Sequence, residues 1–346
     1  MTPARSVLVE RPGSHRLVTA QEPPVPGQGE VRVAVRAAGI CASDRELYDG
    51  TRVEGYVRYP VVPGHEWSGT VDAVGPGVDA ALVGRATVGE GFRACRMCVR
   101  CRAGETSLCT AGYEETGFTR PGAFADHLVL PAHLLHLLDD DCDLTAAALL
   151  EPAAVVAAAV LRAAPRPAER VAVVGGGTLG LLAVQLLAAS SPAELAAVDP
   201  RERPRALALG MGATSAASPA EAAGARGGFD LVVETAGAPG TARDACLLAR
   251  RGGRVVLTGL PEPGAHGIDP VHLTVSQLTV ASVFGAPPAA WSYATEAFRR
   301  GLLRPAALIT HRLPLESFGK AIELVGSGDP EVGKVLLEPQ GAADAG

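Results

Sequence analysis

The segment that most restricts how this chain can fold is Arg170-Val-Ala-Val-Val174 followed by Gly-Gly-Gly-Thr-Leu-Gly. Its Val-rich start reads as a buried strand, three consecutive glycines break it, and Leu181 to Ala189 returns an apolar helical pattern. Val171 to Ser191 carries no charge over a length that could cross a bilayer, yet the strand, turn and helix signals inside it argue for a soluble unit. Within the turn, Gly175, Gly177 and Gly180 form a G-x-G-x-x-G array. Such glycines allow a tight bend, let the backbone approach a pyrophosphate, and pack the helix against the strand. A second strand, "LAAVDP", then places Asp199 19 residues after Gly180, where it would hydrogen-bond ribose hydroxyls.

The alternation continues. "FDLVVETAG" (Phe229 to Gly237) reads as a strand, "TARDACLLARRGG" as a helix ending at glycine, "GRVVLTGL" as a strand and "QLTVASVFG" as the last one. These segments predict a doubly wound parallel sheet over about Pro152 to Gly285, with Gly237 and Gly259 lining a nicotinamide crevice. The flanks, 1–151 and 286–346, would form one discontinuous, mostly β domain, with the active site in the cleft between the two domains. An acid at position 199 favours NAD, because a 2′-phosphate would meet a like charge. Arg201 and Arg203 could instead pair that phosphate, which leaves NADP open.

"CRMCVRCRAGETSLC" puts four thiols in one charged loop: Cys95, Cys98, Cys101 and Cys109. The N-terminus meets Arg and Glu too soon to form a secretion signal, so a reducing, cytoplasmic setting is expected, and seven cysteines cannot all pair within one chain. A metal is then favoured over disulfides. The first three thiols match the opening of a ferredoxin run, but the fourth follows after seven residues rather than three and is followed by Thr110, not Pro. Four thiolates folding round one ion suit a closed, structural zinc, in a lobe over about 90–112.

A closed zinc does no chemistry, so an open site is needed. "GICASD" and "PGHEWSG" supply Cys41 and His65, with Glu66 alongside, and "LLEPAAVV" offers Glu151. Singly, these read as a small core residue, a turn histidine and a helix-start acid. Together they make a thiolate, imidazole and carboxylate set of the catalytic zinc kind. Ser43 could pass a proton from a substrate alcohol, and Asp44 could accept the other imidazole N–H of His65. Asp44 would otherwise cap the short helix suggested by "SDRELY".

With "GICASD", "GHEWSGTV", the four-Cys lobe, "LLEPAAV" and "VAVVGGGTLG" in this order and spacing, nearly the whole chain resembles the zinc-dependent medium-chain dehydrogenases. The resemblance implies an α/β protein with a GroES-like catalytic domain and a Rossmann coenzyme domain, two zincs, NAD or NADP, and dimers or tetramers joined through the last Rossmann strand. It implies that Cys41, His65 and Glu151 hold the catalytic zinc, that Glu66 is an exchanging ligand, and that Ser43 is the first proton acceptor. Some alcohol dehydrogenases end their proton relay in a His where this chain has Glu46, so either Glu46 or water would take the proton. Glu151 stands where ethanol-type enzymes use Cys, as in the polyol, glucose and threonine branch. The substrate is therefore expected to be hydroxyl-rich.

Within that branch, "YPVVPGHEWSGTV" and "GFTRPGAFADHLVLP" resemble the cyclitol dehydrogenases of aminoglycoside assembly. Glu46, Asp49 and Glu115 could then face a substrate ammonium, or be solvated loop acids. Plain polyol or sugar oxidation is the competing reading, and a zinc-free reductase or a zinc-bound scaffold are those from other classes. A net charge of -6 without a basic block argues against nucleic acid as a partner. Cys142, Cys246, His127, His133, His136, Trp67 and Trp291 read as packing residues, and the tail from Pro339 as loose.

Overall fold

The computed structural model describes residues 3–261 and 267–340, so the end of the tail read as loose, 341–346, lies outside the described residues. The chain divides into two units: Met1–Glu151 with Pro305–Gly346, and Pro152–Arg304.

In the first unit, strand Glu30–Ile40 is the spine. Its residues alternate, with Val31, Val33 and Val35 fully buried between half-exposed neighbours, as a strand with one face on a core requires. It pairs antiparallel with Glu66–Val74, His127–Pro131 and Lys334–Glu338. Ile309–Pro314 joins beyond Lys334–Glu338, and Ala86–Gly89 with Leu135–Leu137 extends the other side, giving a seven-stranded sheet. The core on it gathers Val33, Val35, Trp67, Phe118, Phe124, Leu128 and Phe318. Trp67 is therefore a packing residue.

Register along the spine decides what meets at its end. Gly39 lies opposite Glu66 on one side and Leu336 on the other. A Cβ on Gly39 would sit 2.2 Å from Glu66 Oε2 and 2.8 Å from Lys334 Cε, so the missing side chain lets those two groups meet across the strand. Immediately afterwards the chain turns into helix Ala42–Asp49, with Cys41 at its N-cap. Asp44 Oδ2 accepts the Cys41 N–H at 3.0 Å, satisfying one of the donors left over at a helix start. Asp44 thus caps from inside the first turn rather than from the cap position.

The second unit holds a six-stranded parallel sheet in the order Ser215–Ala217, Glu194–Val198, Arg170–Val174, Phe229–Glu234, Ala249–Leu257, Thr279–Ser282. The strand order reverses between Arg170–Val174 and Phe229–Glu234, where doubly wound sheets leave a crevice for ligands. Helix Thr178–Ala188 starts directly after Gly177 and buries Gly180 to Leu187. A Cβ at Gly180 would lie 1.8 Å from the Gly175 carbonyl oxygen, so helix and turn approach as the glycine spacing predicts.

Two expectations are corrected. The helix predicted to run to the Gly252–Gly253 pair covers only Thr241–Leu248, and Ala249 already belongs to the next strand. Ala249 pairs with Phe229 and Arg254 with Leu231, so Arg250 to Gly253 form a bulge in which Gly252 takes φ 70°. The second unit also extends to Arg304 rather than ending at 285. Helix Pro288–Arg299 belongs to it, burying Ala290, Trp291, Ala294 and Ala297. The Arg304 N–H donates to the buried Gln185 side chain at 2.7 Å, tying the segment to helix Thr178–Ala188.

Candidate functional site

The four-cysteine loop folds back on itself through a short helix, Val99–Arg102, and a turn, Thr106–Leu108. This brings the sulfurs of Cys95, Cys98, Cys101 and Cys109 within 4.8 Å of one another. The Cys95 and Cys101 sulfurs are 3.9 Å apart. Zn–S bonds of about 2.3 Å in a tetrahedron space their sulfurs by about 3.8 Å, so the set fits zinc. Backbone N–H groups of Cys95, Cys98 and Cys101 point at the sulfurs of Cys109, Cys95 and Cys98, at 3.4, 3.4 and 3.5 Å. The Cys101 N–H, with Thr110 helping, holds the Cys98 thiol down at about 5, a thiolate ready to ligate. Cys246 is buried in the sheet core of the second unit, away from any such group.

The second group is Cys41, His65 and Glu66, whose ligand atoms also lie within 4.8 Å of one another. Cys41 Sγ is 3.4 Å from His65 Nε2, close to the roughly 3.5 Å that one tetrahedral zinc would impose on a sulfur and an imidazole nitrogen. Behind the ring, His65 Nδ1 faces Asp44 Oδ1 at 3.5 Å. Both atoms are buried and lack another hydrogen-bond partner among the described residues. Burial acts to raise Asp44, but the His65 imidazolium, the Cys41 N–H and Lys334 hold its carboxyl below the usual range. An ionised Asp44 would keep the proton on Nδ1 and leave Nε2 to ligate. Ser43 Oγ lies 2.8 Å from Cys41 Sγ.

Lys334 escaped the sequence reading. Its ammonium lies against Glu66 Oε2, with side-chain exposure of 4% and 3% for the two residues. The one available signal was a lysine opening the apolar run "KVLLE", all of it buried. Glu151 stands in the first turn of helix Leu150–Ala163, outside the tight trio. Burial pushes its carboxyl up to about 8, Glu66 and Glu115 add to the rise, and His65 and Lys334 oppose it.

Around the trio, the Phe118 ring packs 4.7 Å from that of His65, and the Arg52 guanidinium covers Phe118 at 3.7 Å. Arg52 lies 3.7 Å from Glu46 and 3.8 Å from Glu115. Glu115 is buried, accepts the Tyr113 hydroxyl on Oε2, and receives no hydrogen bond on Oε1 among the described residues. Burial lifts it to about 7, against the charges of His65 and Arg52. Asp49 turns away to Arg45. His127 faces Asp72 and His136 faces Glu90, as structural partners would.

In the second unit, a cavity of about 500 Å³ is lined by Gly175, Gly177, Asp199, Arg201, Arg226 and Thr235, among others. Gly180 sits beneath it as a packing glycine. Burial alone would raise Asp199, but Arg201 and the Gly176 N–H hold its carboxyl low. A second cavity of about 310 Å³ includes Gly237 and Gly259, the two glycines expected in a nicotinamide crevice. The glycine cradle, the acid at the end of the second strand and the adjoining space fit a dinucleotide.

Known proteins agree with this arrangement. The profile described as "Alcohol dehydrogenase GroES-like domain" matches residues 27–140, and that described as "Zinc-binding dehydrogenase" matches residues 178–300. L-threonine 3-dehydrogenase of Bacillus subtilis (strain 168) is 32% identical over 344 residues, 96% of this chain and 98% of that one. Galactitol-1-phosphate dehydrogenase from Escherichia coli superposes with a TM-score of 0.87 at 29% identity, covering 97% of this chain and 100% of that one. A protein of Sinorhizobium meliloti 1021, described as a zinc-binding dehydrogenase and solved with NADP, gives 0.90 at 28% identity, covering 98% and 100%. The chain belongs to the zinc-dependent medium-chain dehydrogenases, the class that the two thiolate sites and the doubly wound sheet define. It is an enzyme, an NAD(P)-linked oxidoreductase of alcohols. Among the described residues no helix is long and apolar enough to cross a membrane.

Proposed function

We propose that this enzyme oxidises the secondary alcohol of a hydroxyl-rich substrate that also carries an ammonium group, an aminocyclitol such as 2-deoxy-scyllo-inosamine. The observation that carries the reading is the pairing of the Cys41, His65 and Glu66 group with a neighbouring acid, Glu115, whose Oε1 accepts no hydrogen bond among the described residues. Glu46 and Glu115 share the single guanidinium of Arg52 at 3.7 and 3.8 Å. A substrate ammonium beside Glu115 would draw off the proton that burial holds on it to about 7 and leave a charge pair.

Cys41, His65 and a carboxylate would hold the catalytic zinc, with Glu66 and Glu151 the two candidate carboxylates. Glu66 belongs to the trio but is engaged by Lys334, whereas Glu151 stands outside it and, among the described residues, is free of that partner's contact. Bound there, zinc would supply a Lewis acid that eases deprotonation of an alcohol, and NAD(P) would accept the hydride. Asp44 orients His65, and Ser43 accepts the alcohol proton. Glu46 lies three residues further along the same helix and is 37% exposed, so it stands as the next acceptor towards solvent. Cys95, Cys98, Cys101 and Cys109 would hold the second, structural zinc.

L-Threonine is the second candidate, favoured by the 32% identical relative and sharing the amino-alcohol pattern. The test is turnover on zinc-counted protein with 2-deoxy-scyllo-inosamine, threonine, sorbitol and glucose, each with NAD and NADP. Preference for the aminocyclitol is expected. Preference for sorbitol or glucose would discard the amino group as a recognition element; one zinc per chain without turnover would discard the catalytic reading. Association through the exposed edge strand Thr279–Ser282 into dimers or tetramers belongs to the same proposal, and light scattering would read it.

A further inference from the structure

Arg52 and Glu115 stand side by side near the trio without bonding to each other. The Arg52 guanidinium lies on the Phe118 ring at 3.7 Å, and its Nη2 is 3.8 Å from Glu115 Oε2, beyond hydrogen-bonding distance. The Tyr113 hydroxyl lies between them. Arg52 Nη2 donates to the Tyr113 oxygen at 3.2 Å, and the Tyr113 hydroxyl donates in turn to Glu115 Oε2. An arginine and a carboxylate so near would otherwise form a forked pair, which uses both oxygens of the acid and two N–H groups of the base.

The groups around that hydroxyl are held in place. The Tyr113 ring packs against Tyr56 with centroids 4.5 Å apart and meets Phe92 edge-on at 5.8 Å. Arg52 Nε donates to the Tyr56 carbonyl at 3.1 Å, and the arginine side chain is 8% exposed. The Glu115 N–H donates to Thr119 Oγ1 at 2.8 Å, and its carbonyl accepts the N–H groups of Thr119 and Arg120, each at 3.0 Å. Two groups are left over. Arg52 Nη1 has no acceptor within hydrogen-bonding distance among the described residues, Glu46 being 3.7 Å away. Glu115 Oε1 receives no hydrogen bond among them and lies alongside Gly91, where a Cβ would come within 3.2 Å of it, so the bare glycine leaves that oxygen approachable.

We propose that Tyr113 is a positioning residue for substrate selection: its hydroxyl keeps Arg52 and Glu115 from pairing, which leaves Glu115 Oε1 to accept a substrate ammonium and Arg52 Nη1 to donate to a neighbouring hydroxyl of the same ring. The inference rests on the reading that Glu115 meets the amino group, and it names what holds that oxygen ready. A free donor and a free acceptor on one wall, fixed before the substrate arrives, suit an amino alcohol, whose ammonium can donate while its hydroxyl oxygen accepts. Without the intervening hydroxyl the two charges would satisfy each other, and a substrate would first have to part them.

The experiment compares 2-deoxy-scyllo-inosamine with the same cyclitol carrying a hydroxyl in place of the amine. It reads kcat and KM on the zinc-loaded enzyme, with NAD or NADP, whichever the parent turns over, at about pH 8, above the value of about 7 to which Glu115 keeps its proton. The variants are Tyr113→Phe, which keeps the ring and its packing, Glu115→Gln, and the two together. The parent should favour the amine. Tyr113→Phe should cut that preference, taken as the ratio of the two kcat/KM values, by about ten- to a hundredfold, the loss of one charge-assisted bond. The loss should sit in KM for the amine rather than in kcat. Adding Tyr113→Phe to Glu115→Gln should lower the ratio no further, because the hydroxyl acts through that carboxylate. A Tyr113→Phe variant that keeps the parent's ratio, loses both substrates equally, or lowers the ratio again in the Glu115→Gln background would overturn the proposal. A parent that turns over neither compound, or shows no preference for the amine, would overturn the amino-group reading of Glu115, and this inference with it.

Discussion

Replacing Lys334 by Met tests the buried pair that the end of the spine strand assembles. Lys334 and Glu66 keep 4% and 3% of their side-chain exposure and face each other over Gly39. Methionine matches the lysine stem in length, so packing is largely kept while the ammonium goes. Glu66 is then a buried carboxylate without its counter-charge, a change that costs about 3–5 kcal/mol. At about 2–4 °C per kcal/mol for a unit of this size, thermal unfolding of zinc-stripped protein should begin about 6–20 °C lower. The loss comes from a stranded charge rather than a missing contact, so adding Glu66→Gln to Lys334→Met should restore most of it. Scanning calorimetry on the parent, both single variants and the double variant closes the cycle. A Lys334→Met protein that melts within about 1 °C of the parent, or a double variant no better than the single, would refute the reasoning.

The remaining predictions concern protonation, metal content and packing. Glu115 keeps its proton to about 7 when folded, whereas an unfolded glutamic acid releases it near about 4.3. The folded state binds more protons in that window, so stability should fall as pH rises through it, by about 3–4 kcal/mol, and level off above pH about 7. Glu115→Gln should flatten this decline, read from melting temperature against pH on zinc-stripped protein; an equal decline in the variant counts against the burial argument. Cys41→Ser and Cys98→Ser should each lower the zinc count from two to one per chain by atomic absorption. Only Cys41→Ser should abolish turnover while leaving the melting temperature near that of the parent, because the four-cysteine loop is what its metal folds. Gly180→Ala places a Cβ 1.8 Å from the Gly175 carbonyl oxygen, so it should destabilise by about 1–3 kcal/mol or more and weaken both coenzymes together. Unchanged coenzyme affinity in that variant would show that the turn has room the structure denies it.

What the sequence made legible was chemistry repeated at short range. Cys95 to Cys109 lie within one loop, and Gly175 to Asp199 within one strand-turn-helix-strand unit, so their spacing maps directly onto geometry. Asp44 and Ser43 were legible for the same reason, being in the first turn of the helix that Cys41 starts. Groups joined only by the sheet were not. Lys334 reaches Glu66 because the C-terminal strand Lys334–Glu338 lies against the spine, and no local pattern encodes that pairing. Helix Pro288–Arg299 was assigned to the wrong unit because its apolar face fits any core, and its packing, with the Arg304 to Gln185 bond just after it, is what reveals its side.

Gly39 shows why the two kinds of information are separate. In the sequence it is the first letter of a motif whose evident content is Cys41, Ser43 and Asp44, and a glycine before a helix needs no special account. In the sheet it is a position where a side chain would collide with both Glu66 and Lys334. The conflict belongs to three strands at once, so it appears only when they are in register. Gly39→Ala should therefore resemble Lys334→Met in lowering the melting temperature of zinc-stripped protein, through separation of the same buried pair, although it removes no charge.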